Sequence, residues 1–273
     1  MRLGFGLGLQ YSKLSDGGID PQAQAQITRI QNAGGTIEDA NVIDADIKFL
    51  KSIGLFANLK YAADPRAGIT ERVDGSDIFA SKIFDYSGSD ADTDNATGSE
   101  QPKKGILNGV TSLDFDGVND RLTNTDTVSF LTGAEMFSIA VYAQDFTNSD
   151  SFGMLIDKFS PRTDGREFGR SGGNIRVFGN NDDSNTPFQN VQIIASGKFN
   201  EDDLGIGFIN NIEIGQKTQA TNYVGKTLGS NRNQDNLFFA KAKFQKNWDF
   251  DVLPTPSQAS AINTYLTNQF NIS

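Results

Sequence analysis

Any chemistry in this chain has to come from oxygen atoms, because its 273 residues include no His and no Cys. Without His there is no general base for a Ser-His-Asp triad and no imidazole for zinc. Without Cys there is no thiolate nucleophile, no disulfide framework and no sulfur metal site. Paired carboxylates remain. Retaining glycoside hydrolysis needs two carboxyl groups about 5–5.5 Å apart, which residues i and i+2 of one strand supply by facing the same side. The glutamates, Glu38, Glu71, Glu100, Glu135, Glu167, Glu201 and Glu213, are scattered so that no two share a candidate strand. Asp114 and Asp116 do alternate, but they flank an Asp116-Gly117 turn, where capping and solubility are simpler roles. Gly225-Lys-Thr227 has the ending of a phosphate-binding loop without its glycine spacing. These residues lead to the expectation that the protein is not an enzyme.

Two kinds of binding chemistry are left. Calcium takes several oxygens from carboxylates and carbonyls, and Asp116, Asn119 and Asp120 are one candidate set, with Asn180-Asn-Asp-Asp183 a second. Neither has the EF-hand pattern, and Asx turns on an acidic surface are the competing reading of both. No cofactor other than calcium is in question. Glycan binding calls for aromatic platforms beside polar groups, and Tyr223 and Trp248 are the candidates. Trp248 lies between a strand and the last helix, so packing under that helix is its alternative role. A net charge of −10, with Lys103-Lys104 the one basic doublet, argues against nucleic acid as a partner. No stretch has the length of a membrane span, and the apolar N-terminus is too short for a secretory signal.

The elements that must position these residues fall into three parts. Residues 1–35 read as an extended arm. Phe5, Leu7 and Leu9 alternate there with Gly4, Gly6 and Gly8, which would let a strand dock closely on a neighbouring subunit or on the domain's own sheet. Residues 36–75 read as a small helical lead-in. Thr36 stands as its cap, Ile43, Ile47, Leu50 and Ile53 as its apolar stripe, and Gly54 as its stop. Residues 76–273 read as short strands parted by turns, the signature of an all-β sandwich or barrel. Within them Asn210-Asn211 is a two-residue hairpin turn. A closing helix starts at Thr255-Pro256, with Ile262, Leu266 and Phe270 as its stripe.

The order of motifs resembles the concanavalin A-like lectin/glucanase superfamily, in particular laminin-G-like domains of bacterial and phage proteins. Val110-Thr-Ser-Leu-Asp-Phe-Asp-Gly-Val-Asn-Asp-Arg-Leu122 is similar to the group's LxFDGxxDxL strand, and Phe137-Ser-Ile-Ala-Val-Tyr142 to its next core strand. Residues 204–215, 227–231 and 253–272 are similar to its later hairpin, strand end and closing helix. Ile43–Lys60 with Asp64-Pro-Arg66 resembles the leader that precedes such sandwiches in phage tail, spike and capsid-associated proteins. The resemblance implies a jelly-roll β-sandwich with an N-terminal arm and helix and a C-terminal helix. It also implies a virion structural protein, anchored to other virion proteins through the arm and displaying a lectin-like surface to host glycans. A homo-oligomer, with a trimer as the expected order, goes with that. A free carbohydrate-binding lectin module is the alternative, and a divergent glycoside hydrolase a third.

Overall fold

The computed structural model describes residues 18–124, 136–145, 152–158, 166–171, 174–177, 180–181, 191–199, 204–218, 226–229 and 239–272. Phe5, Leu7, Leu9 and Tyr223 lie outside them. In chain order the helices are α1 (Pro21–Asn32), α2 (Ala40–Ser52) and α3 (Pro256–Phe270). The strands open with β1 (Leu59–Ala63), β2 (Ile69–Asp74), β3 (Asp77–Ile83), β4 (Thr93–Asp94), β5 (Lys103–Leu107) and β6 (Val110–Asp116). They continue with β7 (Leu122–Asn124), β8 (Met136–Gln144), β9 (Phe152–Lys158), β10 (Arg166–Ser171), β11 (Asn174–Val177) and β12 (Asn180–Asn181). The last are β13 (Ile193–Phe199), β14 (Leu204–Ile209), β15 (Ile212–Thr218), β16 (Lys226–Leu228) and β17 (Lys241–Phe250).

Every pairing among the described residues is antiparallel, as in an all-β sandwich built from hairpins. One layer runs β5–β6–β17–β8–β13–β14–β15, with β1 beside the far half of β17. The other runs β2–β3–β4–β7–β16–β9–β10–β11–β12, and β3 also touches β5, joining the layers at one edge. Leu113, Phe115, Leu122, Tyr142, Phe168, Leu228 and Phe244 fill the space between the layers. The three helices cover part of the outer face of the first layer over a second core of Ile30, Ile47, Leu50, Ile139, Trp248 and Leu266. Strand β8, MFSIAVYAQ, is buried at all positions because both its faces are covered. That is why it reads as a near-continuous apolar run rather than an alternating one.

The stretch 1–35 is not extended throughout. Asp20 caps α1 by accepting the Gln22 N–H at 2.9 Å, Pro21 suits the first helical position, and Ala23, Ile27 and Ile30 form a buried stripe. Alternating Gln and Ala hid that stripe. Helix α2 is capped by Asp39, whose carboxylate accepts the Asn41 N–H at 3.0 Å, and not by Thr36, which forms a bridge with Ile69. The lead-in of 36–75 also holds β1 and β2, and its boundary falls inside the β2–β3 turn, where Gly75 takes a φ of +62°. Strand β1 escaped local reading because its partner is β17, with Ala62 opposite Trp248. The closing helix follows its sequence signals, with a Thr255–Gln258 capping box. At the β14–β15 turn Asn210 and Asn211 have φ of +47° and +67°, as a primed hairpin turn demands.

Strand β17 changes faces partway along. Ala242 and Phe244 point between the layers, but a β-bulge between Phe244 and Lys246 reverses the alternation, so Trp248 and Phe250 point at the helices. The bulge buries two lysines on opposite sides. Lys246 reaches Asp46 at 2.6 Å and Asp64 at 3.3 Å under the helices. Lys226 meets Asp249 and Asn247 between the layers. Trp248 is therefore no glycan platform: it is fully buried, and its Nε1 donates to the Tyr86 hydroxyl at 3.1 Å. The Lys-Asn-Trp-Asp segment is strand rather than a link, its charges being neutralised by partners distant in sequence.

Candidate functional site

Beyond the edge of the helices, the outer face of the first layer stays open, and a cleft of about 890 Å³ lies there. Its floor is a single cross-strand row, because residues directly opposite one another in paired strands share a face. Arg72 faces Phe79, Phe79 faces Lys103, Lys103 faces Asp114, Asp114 faces Lys243 and Lys243 faces Ala143. All six line the cleft. A second row pairs Asp116 with Lys241, whose Nζ lies 2.8 Å from Asp145. Ala143 is the next position on the β8 face that α2 and α3 cover through Ile139 and Val141. The site is thus the uncovered continuation of the helix-bearing face.

Each charged group that the described residues bring to the cleft has a partner. Lys243 pairs with Asp114, and the Ser112 hydroxyl donates to the same carboxylate at 2.6 Å. Gly105 leaves the space that the Asp114 carboxylate occupies, since a Cβ there would overlap it. Lys103 pairs with Asp77 at 2.8 Å. The Arg72 guanidinium lies 4.5 Å over the Phe79 ring and donates to Gln101 at 2.7 Å, to the Gly98 carbonyl at 2.8 Å and to Asp74 at 3.1 Å. That makes a flat platform, apolar below and hydrogen-bonding at its rim. The cations Arg72, Lys103, Lys241 and Lys243 stand against the carboxylates Asp74, Asp114, Asp116, Asp120 and Asp145. The cleft is close to neutral and rich in both donors and acceptors.

Asp116, Asn119 and Asp120 do come together at one corner of this cleft. The Asp116 carboxylate accepts the N–H groups of Val118 at 2.7 Å and Asn119 at 3.2 Å, and Asp120 accepts the Asp116 N–H at 2.9 Å. Gly117, with φ of +80°, closes the turn against Lys241, where a Cβ would sit 2.8 Å from the Lys241 Cβ. This is an Asx turn with a second carboxylate folded over it. Among the described residues no three acidic side chains converge as a cage for a metal ion. Burial raises the pKa of Asp120 to about 7; the Asp116 N–H bond opposes that shift and the Asp116 charge adds to it.

Sequence reasoning had Asp114 only as half of a hydrolase pair to be weighed, and Asp116 as its other half and as a calcium candidate; it missed Arg72, Phe79, Gln101, Lys103 and Lys243. One signal was present. Asp-x-Asp at 114–116 and Lys-x-Lys at 241–243 alternate in phase, as two facing strands with complementary charges would.

No protein-family model and no curated protein matches the sequence. Solved structures do match. The chain is similar to a Trypanosoma rangeli sialidase in complex with sialic acid, with a TM-score of 0.58 and 10% identity over 92% of this chain and 40% of that one. It is similar to the binding domain of Paraclostridial Mosquitocidal Protein 1, with a TM-score of 0.54 and 14% identity over 78% of this chain and 53% of that one. It is also similar to an arabinofuranosidase complexed with arabinofuranosyl-alpha-1,2-xylobiose, with a TM-score of 0.54 and 10% identity over 80% and 64% of the two chains. The chain thus spans between two fifths and two thirds of the lengths it matches. The likeness is one of fold: a jelly-roll β-sandwich.

Proposed function

We propose that this chain is a non-catalytic glycan-binding module whose ligand is a neutral, hydroxyl-rich oligosaccharide lying across the strands of the cleft. The cross-strand row from Arg72 to Ala143 carries the reading. Neighbouring strands stand about 4.8 Å apart, so a chain laid across them meets a new donor or acceptor at intervals comparable with one sugar ring. The Arg72–Phe79 stack gives the apolar face of a ring something flat to rest on. Binding rather than turnover is supported by the state of the carboxylates, since Asp114 is held by Lys243 and Ser112 and Asp116 by its own turn. Two of the similar structures hold sugars, one of them sialic acid. Among the described residues every cation of the cleft is already matched by a carboxylate, so an acidic sugar gains no free positive charge from them.

The test is a glycan array followed by calorimetry on the best neutral ligand. The Asp114–Lys243 pair is partly exposed, so replacing both by Ala should change stability by only about 1 kcal/mol while weakening binding about tenfold or more. Neutral glycans should outrank sialylated ones. A sialylated ligand at the top of the array, or binding indifferent to the double variant, would remove the reading.

The finer placement on a bacteriophage particle is part of the same proposal and is supported by the resemblance of the sequence. Its anchor would be the Gly-alternating arm with Phe5, Leu7 and Leu9. Because α1 is core, the deletion that tests the arm must end at residue 17. The full chain should have a larger mass in solution than the shortened one, through self-assembly or capture of a virion partner. Equal monomeric masses and no capture would overturn the anchor.

A further inference from the structure

A second concave site of about 320 Å³ lies on the far side of the helices, between α3 and the β14–β15 turn. Ser260, Asn263, Thr264 and Thr267 recur at i, i+3, i+4 and i+7, so they form one face of α3, while Ile262, Leu266 and Phe270 form the buried stripe. Asn210 and Asn211 make the opposite wall, and Ile194 and Ile272 are the apolar part of the lining. The hairpin is held rigidly, because Asn210 exchanges hydrogen bonds with the Ile194 backbone at 2.8 and 2.9 Å.

One atom here is left over. Asn263 is 9% exposed, and its Nδ2 donates to the Ala259 carbonyl at 3.0 Å and to Asn211 at 3.4 Å. Its Oδ1 is buried without a hydrogen-bond partner. A buried acceptor in that state is costly to maintain, and a small turn of the Asn263 side chain toward the groove would let a ligand's donor relieve it. Among the described residues none that lines the groove is ionisable, so an ion meets no counter-charge from them. Hydroxyls and amides, which both donate and accept, match hydroxyls.

We infer that this groove is a second binding site, independent of the β-sheet cleft, for a small neutral polyhydroxylated ligand such as a monosaccharide. The carbon face of the ring rests on Ile272, its hydroxyls meet Ser260, Thr264 and Thr267, and one of them donates to Asn263 Oδ1 once that side chain turns toward the groove. A chain with both sites would hold glycans at two points, and its apparent affinity for a dense glycan surface would exceed that of either site.

The experiment titrates the ¹⁵N-labelled full chain with glucose, galactose, mannose and arabinose into the millimolar range. Saturable amide shifts should appear at residues 210–211 and 260–267 for at least one sugar. Thr264→Val and Thr267→Val keep the shape, remove one hydroxyl each, and should weaken those shifts about tenfold with little change in Tm. They avoid relying on Asn263, whose replacement would disturb α3. Absence of saturable shifts at these residues for every sugar, or shifts unaffected by both Thr variants, would overturn the site. Shifts confined to Arg72, Lys103 and Lys243 would do so too, and would leave the cleft reading standing.

Discussion

Replacing Lys246 by Met is expected to cost about 3–5 kcal/mol of stability, because it leaves a buried carboxylate without its counter-charge. Lys246 is 1% exposed and its Nζ lies 2.6 Å from Asp46, 3.3 Å from Asp64 and 2.8 Å from the Gln269 side-chain oxygen. Asp64 keeps Arg66, at 2.6 Å, when the lysine is gone. Asp46 keeps only neutral donors, the hydroxyls of Tyr86 at 2.7 Å and Tyr265 at 2.8 Å and the Gln269 amide at 3.2 Å. Those donors come from the segment after β3 and from α3, so the loss should loosen α2, α3 and β17 together. Adding Asp46→Asn removes the stranded charge and keeps one acceptor oxygen, with an amide N–H facing the other tyrosine oxygen, and should recover roughly half the loss. Urea unfolding of the two variants decides the matter. A single variant within about 1 kcal/mol of the parent would mean that water reaches this network.

Trp248→Ala is expected to cost a similar amount, about 3–5 kcal/mol, by emptying a large volume in the second core. The indole stacks with Phe49 at 6.5 Å and Tyr265 at 6.0 Å and meets Phe250 edge-on at 6.4 Å. Its ring also lies 4.8 Å from the Lys246 ammonium, and its N–H is the donor that Tyr86 accepts. Truncation therefore removes aromatic packing and one link of the charged network at once. Trp248 is the one tryptophan in the chain, so unfolding has to be followed by circular dichroism rather than by fluorescence. At temperatures where the variant remains folded, the glycan binding proposed for the cleft should be unchanged, because the bulge after Phe244 turns this side chain to the helices. A selective loss of binding with intact stability would restore the exposed platform that burial rules out.

Several features were legible because their causes are local. Asn210-Asn211 between two apolar runs demands positive φ, and the hairpin formed there. Thr255, Pro256 and Gln258 carry the start of α3 within four residues, and the period of Ile262, Leu266 and Phe270 marks its buried side. Strand β8 was visible as an apolar run long enough to cross a core. The all-β sandwich followed from many such runs between turn residues.

What the sequence alone could not carry was set by partners far along the chain. Strand β1 exists because β17 lies beside it, and residues 246–249 are strand because Asp46, Asp64 and Tyr86 absorb polar groups that read locally as a link. One extra residue at the bulge then decided which face each later side chain takes, moving Trp248 from candidate ligand contact to core. The cleft has the same origin. Arg72, Phe79, Lys103, Asp114 and Lys243 come from separate strands, and only sheet register places them in one row. Residue type and spacing along the chain determined the fold class and ruled out catalysis by His or Cys. Register across the sheet, a long-range property of backbone hydrogen bonding, decided where a ligand has room to lie.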